Sequence, residues 1–260
     1  MSEATPGGRP AGHGHGQGSE ELPSIDVSER GAPRDGQPQT MDRRLFMQLL
    51  VFQCEEAAGL GTVRDFAVTL RRAIQAKGVG AVVYADVNDP WGLGLLTWSE
   101  DPGAFVEVVH PAAIETIGPP RKLRPDMTML GRTYSSGYEQ DLEYWLLRRP
   151  AETAANPAWP WAVWYPLRRS GAFSKLEPRE QGSIMREHGT IGKAYGAKDL
   201  AHDIRLACHG LDARDNEFVI GLVGKELHPL SHIVQSMRKT RQTSEFISQM
   251  GPFFVGRVLG

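Results

Sequence analysis

Apolar and polar positions alternate along this chain with periods that predict an ordered succession of strands and helices from residue 44 onward. The run 44–53 is apolar enough for a strand buried on both faces, and 61–76 has apolar residues at helical spacing. Asp101 and Pro102 form a typical helix start. The first half therefore predicts strand, helix, strand, strand, helix and strand over 44–53, 61–76, 80–86, 92–98, 101–114 and 126–134.

The second half of the chain repeats this order. Its predicted strands and helices lie at 162–167, 177–195, 199–208, 217–223, 228–239 and 251–259. In each half, a buried strand runs into a helix that begins with proline, as in GLLTWSEDPGAFVEVV and GLVGKELHPLSHIVQSM. We therefore expect an α+β fold made of two ferredoxin-like halves, about 42–137 and 160–260, within one domain. A helical linker at 139–149 would join them.

Residues 1–41 differ in composition from the rest. This stretch is rich in Gly, Pro, Ser and charged residues and poor in large apolar ones, so we expect a disordered tail followed by a folded domain at 42–260. His13 and His15 lie in this tail and are more simply explained as solvated residues than as metal ligands.

The overall composition excludes several classes of protein. With 260 residues, 40% hydrophobic and 23% charged, the chain can build a sizeable core, and a net charge of −2 does not favour a nucleic-acid partner. Cys54 and Cys208 fit no metal or disulfide framework and suit a reducing compartment. There is neither an apolar run long enough to span a bilayer nor a recognisable signal peptide, so a soluble, cytoplasmic protein is expected.

One histidine stands out on the predicted helix 177–195. Ile184, His188, Ile191 and Tyr195 share a face of this helix, so His188 points inward from an apolar stripe. A core histidine with a satisfied ring is the commoner outcome. A neutral imidazole in an apolar wall is also what an iron porphyrin requires as an axial ligand.

Polar side chains on two predicted strands form a second set of candidates. Tyr165 faces the same side of its strand as Trp161 and Val163, either as a packed aromatic or as a redox-active phenol lining a pocket. On the predicted strand 199–208, Asp203 and Arg205 share one face with Ala201. They are either a solvent-facing ion pair or polar groups that project into a cavity.

Two further clusters contain hydrogen-bond donors suited to carboxylates or phosphates. Arg132 and Tyr134 lie at a predicted strand end, and Arg238 and Ser244 follow the helix 228–239. Arginines near a helix end are more often solvated. The sequence contains no phosphate-binding loop, nucleophile elbow or zinc-protease motif.

Five segments of the second half, in order, resemble the coproheme decarboxylases of the chlorite dismutase superfamily. His188-Gly-Thr-Ile-Gly-Lys-Ala-Tyr195 is similar to their H-G-x-x-G-[RK]-x-Y helix, and Tyr165-Pro166-Leu167 to their Tyr-Pro-Met strand. The other segments are Gly210-Leu211-Asp212, Met237-Arg238 with Ser244, and the closing strand 251–256. Each motif alone is weak. The first half resembles the family only in layout.

This resemblance implies a duplicated ferredoxin-like barrel, usually a homopentamer, that handles haem. His188 would be the proximal iron ligand, and Tyr165 would carry the radical that attacks propionate side chains. Arg238, Ser244, Tyr134 and Arg132 would bind the porphyrin, and Arg205 would assist catalysis. Coproheme and hydrogen peroxide would be the substrates and haem b the product, with a ferrochelatase as the class of enzyme that supplies coproheme.

Two departures from the family pattern leave alternatives open. In the family, a residue on the strand after the histidine helix faces the haem from the distal side. That position falls on Ala201 when counted from His188 and on Asp203 when counted back from Gly210. Arg205 lies one step further on the same strand face. One extra residue separates Arg238 from Ser244. Chlorite decomposition with Arg205 as the distal cation is the second hypothesis, and a haem-binding or haem-delivery protein without turnover is the third.

Overall fold

The computed structural model describes Met1, residues 22–116 and residues 118–259. The strands are β1 (Glu29–Arg34), β2 (Gln37–Met41), β3 (Phe46–Cys54), β4 (Gly80–Asp86), β5 (Gly92–Ser99), β6 (Arg121–Leu123), β7 (Met129–Arg132), β8 (Trp161–Arg169), β9 (His202–Ala207), β10 (Phe218–Gly224), β11 (Ile247–Met250) and β12 (Phe254–Val258). The helices are α1 (Leu60–Gln75), α2 (His110–Glu115), α3 (Arg149–Ala155), α4 (Pro178–Ala197), α5 (Leu227–Met237) and α6 (Arg241–Phe246).

Eight of these strands close into an antiparallel barrel. Their order is β10-β9-β7-β3-β5-β4-β12-β8, and β8 returns to pair with β10 along its whole length. Within each half, four strands follow the ferredoxin-like order. This order is β7-β3-β5-β4 in the first half and β12-β8-β10-β9 in the second. The halves join where β7 meets β9 and where β4 meets β12. The predicted duplicated ferredoxin-like α+β fold is confirmed.

Strand alternation divides the side chains between the barrel interior and its outer faces. On β8, Trp164 packs inside the barrel, whereas Val163 and Tyr165 belong to a cluster on the outer face. On β9, Ile204 and Leu206 point inward. The outer side chains of the second half therefore lie beneath helices α4 and α5.

The two halves cover their outer faces differently, and this difference creates a cavity. Helix α1 buries five apolar side chains against the first half of the barrel, namely Val63, Phe66, Ala67, Leu70 and Ile74. The equivalent helix α4 has 20 residues but buries only Ile184, which packs away from the sheet with Phe173 and Phe246. Helix α4 therefore stands off the sheet instead of packing directly on it.

The expectation of a disordered tail through residue 41 is wrong for residues 29–41, which form the hairpin β1–β2. Asp35 and Gly36 both have positive φ in its turn, the conformation that favours an Asp-Gly pair in two-residue hairpins. The hairpin binds mainly through polar contacts, since Glu29 pairs with Arg132 at 3.0 Å and accepts a bond from the amide of Ser135. Few apolar residues are needed for such contacts. Residues 2–21, with His13 and His15, lie outside the described residues.

The helical linker predicted at 139–149 begins later in the structure. A π-helical turn at Tyr144–Arg148 leads into α3, and Pro150 occupies its first turn, where proline is tolerated. Glu139 instead lies in a loop, where its carboxylate accepts bonds from Ser135 and Ser136. Helix α3 lies against β9, where its first residue, Arg149, contacts Asp203. In the described part of the chain, no helix is both long enough and apolar enough to cross a membrane.

Candidate functional site

A cavity of about 360 Å³ separates α4 from the outer face of the second half-barrel. The sheet contributes Tyr165, Asp203, Arg205 and neighbouring apolar residues to one wall. The helical wall includes His188 from α4 and Ile233 and Met237 from α5. The volume falls in the range of small-molecule and cofactor sites, which is roughly 300–1,000 Å³. Two predicted candidates, His188 and Tyr165, thus line one cavity from different walls.

The imidazole of His188 is half-buried on the helical wall. Its Nδ1 lies 3.5 Å from the hydroxyl oxygen of Thr240, and that hydroxyl donates to the carbonyl oxygen of Met237 at 2.8 Å. The Thr240 oxygen can therefore accept a hydrogen bond from Nδ1–H, and in that tautomer Nε2 keeps its lone pair. Burial, and next the charge of Arg205, lower the pKa of His188. Both effects favour the neutral imidazole that a metal ligand needs.

The cavity-facing side of α4 is made largely of glycine. Gly189, Gly192 and Gly196 all line the cavity, where an added Cβ would meet no atom within 4 Å at Gly189 and only Met237 at 3.7 Å for Gly192. Glycine costs about 1 kcal/mol relative to alanine in a helix interior. The helix therefore accepts lower intrinsic stability and presents a flat backbone surface, which suits a planar ligand.

Tyr165 lies in the sheet wall and is only 6% exposed. Its ring stacks on Phe253, with the ring centroids 4.6 Å apart and an interplanar angle of 26°. Burial raises the pKa of its phenol, against the opposing charge of Arg238. The tyrosine is therefore protonated at neutral pH, and its orientation is restrained by the stack.

Asp203 lies between two arginines on the same wall. Its carboxylate accepts a hydrogen bond from Arg149 at 2.9 Å and contacts Nε of Arg205 at 3.0 Å. Burial alone would raise the pKa of Asp203, but the charges of Arg205 and Arg149 hold it below its ordinary value. The strand pair predicted either to face solvent or to enter a cavity thus does the latter. Ala201 lines the same cavity with only a methyl group.

Arg238 and Ser244 take different positions at the edge of the cavity. Arg238 is exposed and lines a side pocket that shares Thr243 and Met250 with the main cavity. The hydroxyl of Ser244 donates to the Thr240 carbonyl oxygen, and Thr243 lines the cavity instead. Relative to the family pattern, one extra residue separates Arg238 from Ser244. At the family's own spacing from Arg238, the position of the serine falls on Thr243.

Arg132 and Tyr134 lie further from the cavity. The guanidinium of Arg132 pairs with Glu29 of the hairpin, and neither residue is among those that line the cavity. Tyr134 packs against Phe218 with ring centroids 5.7 Å apart, and burial raises its pKa while the nearby charge of Arg205 opposes this. Tyr134 thus lies close enough to Arg205 for that charge to act on its phenol, although it does not line the cavity.

Sequence reasoning missed Trp145, Arg149 and Lys193, which all line the cavity. Trp145 and Arg149 are four residues apart, and the guanidinium carbon of Arg149 lies 4.6 Å from the centre of the indole ring. That spacing in a predicted helix was the available signal. Lys193 lies within the helix motif that begins at His188, one residue after Gly192.

Comparisons with known proteins agree with this architecture. Residues 113–259, more than half of the chain, match the family described as chlorite dismutase. A coproheme decarboxylase from Thermus thermophilus is 30% identical over 115 residues, which are 43% of this chain and 44% of the relative. The chain thus spans less than half the length of the curated relatives it matches.

Two solved structures share the fold over most of both chains. A haem-binding protein from Thermus thermophilus superimposes with a TM-score of 0.61 and 18% identity, covering 83% of this chain and 91% of that one. A mutant chlorite dismutase from Candidatus Nitrospira defluvii gives a TM-score of 0.65 and 12% identity, covering 84% and 92%. At these identities the likeness concerns the fold alone.

Proposed function

Because this chain belongs to the chlorite dismutase family, we propose that its cavity binds an iron porphyrin and that the protein decarboxylates coproheme oxidatively to haem b with hydrogen peroxide. The observation that carries the proposal is the presence of His188 and Tyr165 on different walls of one cavity. An iron ligand and an oxidisable phenol are the two side chains this chemistry needs. The stretch that is 30% identical to a coproheme decarboxylase favours the same reaction.

The residues of the helical wall suit an iron porphyrin. His188 would ligate the iron through Nε2, while Thr240 holds Nδ1. The glycines of α4 leave room for a flat macrocycle, and apolar residues such as Ile233 and Met237 exclude water beside it. When bound, the iron would react with peroxide and supply the oxidising equivalents.

Cationic side chains near the cavity suit the propionates of coproheme. Lys193 lines the cavity from α4, and Arg238 lies at the adjoining side pocket. Both can bind carboxylates, Arg238 in bidentate geometry. In our proposal these two residues, with Thr243, orient the propionate that reacts. Ser244, Tyr134 and Arg132 are assigned a supporting role, since their own contacts hold the segments around the cavity.

Tyr165 would act on the propionate through its phenolic oxygen. Loss of a hydrogen atom from its hydroxyl gives a phenoxyl radical, which takes a hydrogen atom from the propionate β-carbon and restores the phenol. The carbon radical then loses one electron and carbon dioxide, and a vinyl group forms. Overall, one propionic acid side chain and one hydrogen peroxide yield one vinyl group, one carbon dioxide and two waters.

Arg205 favours a second candidate function, the decomposition of chlorite. Its guanidinium lines the cavity and could bind a small oxyanion beside the iron. A haem-binding protein without turnover is a third candidate, consistent with the name of one structural relative. Under each of the three proposals His188 is the iron ligand, and only the first requires the hydroxyl of Tyr165.

Mass spectrometry of the bound porphyrin separates these functions. The protein is loaded with ferric coproheme, and hydrogen peroxide is added in small steps. We expect the porphyrin mass to fall by the equivalent of one carboxyl group plus one hydrogen per propionate, with release of carbon dioxide. Unchanged coproheme, or simple bleaching, would contradict the decarboxylase proposal. Oxygen release from added chlorite would then support the second candidate.

The assembly and the supply of substrate are also proposals. The family resemblance suggests a homopentamer, which sedimentation analysis tests directly. A ferrochelatase that inserts iron into coproporphyrin is the class of reaction that would supply coproheme.

A further inference from the structure

The strongest unexplained feature of the cavity is its chain of three charged side chains. Arg149 donates to the backbone carbonyl oxygen of Asp203 and to its carboxylate, both at 2.9 Å. The same guanidinium lies against the face of Trp145. Arg149 is thus restrained by three contacts, and it restrains Asp203 in turn.

Arg205 makes one close contact with a charged group, an ion pair with Asp203. Its Nε lies 3.0 Å from the second carboxylate oxygen of Asp203. Among the described residues, its two terminal amino groups have no hydrogen-bond partner within the protein, and its side chain remains 38% accessible because it faces the cavity. A guanidinium held by an ion pair on its Nε side presents its terminal N–H groups as a fork, which matches the geometry of an anion.

Charge alone does not account for Asp203. A carboxylate beside the fork weakens the positive field at the site, so an anion-binding site would be stronger electrostatically without it. Its presence between two arginines is instead explained by orientation. Arginine has many rotamers, and restricting them before an anion arrives lowers the entropy cost of binding.

We propose that Asp203 is a positioning residue, which holds Nε of Arg205 so that its terminal amino groups bind an anion inside the cavity, while Arg149 and Trp145 keep Asp203 in place. This inference rests on the proposed function, because the anion would be a small oxidant or ligand that binds beside the iron. The ligand class is a small anion such as fluoride, chlorite or deprotonated peroxide.

The sign of one measurement separates positioning from charge. Replacing Asp203 by asparagine removes a negative charge, so a purely electrostatic role predicts tighter anion binding. The positioning role predicts weaker binding, because Arg205 loses its anchor. Asp203→Glu keeps the charge and can restore the contact from a longer side chain.

The test titrates fluoride into ferric haem-loaded protein and follows the absorption spectrum. We expect Asp203→Asn to weaken fluoride binding about tenfold, which is the effect of losing one hydrogen bond from the Arg205 fork to a charged ligand, and Asp203→Glu to recover most of it. Arg205→Lys should weaken binding similarly, which assigns the effect to the fork. Equal or tighter fluoride binding by Asp203→Asn would overturn the proposal.

A second measurement uses the protein without porphyrin. Arg205 Nε–H should give a resolved NMR resonance that Arg205→Lys removes and that Asp203→Asn shifts and broadens. An unchanged resonance in Asp203→Asn would also overturn the proposal. If the wild-type protein fails to bind any iron porphyrin, the proposed function fails, and the resonance still decides the role of Asp203.

Discussion

The glycine surface of α4 leads to a prediction in which stability and ligand binding change in opposite directions. Gly192→Ala adds one methyl group to the helix wall of the cavity. Its Cβ would meet only Met237 at 3.7 Å, an ordinary contact, so the empty protein tolerates it. Alanine in place of glycine should stabilise the helix by about 1 kcal/mol and raise the Tm by roughly 2–4 °C.

The same methyl group should weaken porphyrin binding, because it occupies space that a planar ligand lying against α4 would use. Overpacking of this kind costs about 1–3 kcal/mol, which corresponds to roughly tenfold weaker binding or more. The assay combines thermal unfolding of the protein without porphyrin with a titration of ferric coproheme.

Gly182→Ala is the matched control. Gly182 lies in the same helix, does not line the cavity, and has no atom within 4 Å of an added Cβ. It should raise the Tm similarly and leave the affinity for coproheme unchanged. If Gly192→Ala bound coproheme as tightly as the wild type, the porphyrin would not lie against this face, and the proposed site would be wrong.

Three further predictions concern other parts of the site. His188→Ala should abolish the histidine-ligated haem spectrum. It should also reduce the loss of stability below about pH 6.5, because the pKa of His188 is lower in the folded protein than in the unfolded chain, so acid favours unfolding of the wild type. A surviving spectrum would point to His202 or another ligand. Tyr165→Phe should bind coproheme nearly normally but release no carbon dioxide on addition of peroxide, and wild-type turnover would make Tyr165 a packing residue. Deleting residues 1–41 should lower the Tm, since it removes the Glu29–Arg132 ion pair and the backbone bond from Ala32 to Glu139; an unchanged Tm would show that the hairpin contributes no stability.

The local pattern of the sequence determined much of the fold. Alternation along β8 and β9 predicted that Tyr165 lies on one face with Val163, and Asp203 with Arg205, because side chains in a strand alternate regardless of what surrounds it. Helical spacing likewise predicted α1 and α4 to within a few residues. The hairpin β1–β2 was not predicted although Asp35-Gly36 is a strong turn signal, because the composition of residues 1–41 is typical of disorder and the hairpin is held by polar contacts that composition does not reveal.

Only the tertiary structure decided how these faces meet. Periodicity cannot reveal that α4 stands off the sheet whereas α1 packs on it, because that difference depends on glycines that contribute no apolar signal. Arg149 of α3 and Asp203 of β9 are 54 positions apart in the sequence and meet only because the fold places α3 against β9. No pattern of neighbouring residues predicts this contact. The sequence by itself therefore determined which side chains share a strand or helix face, and the packing of the two halves decided which of those faces enclose the cavity.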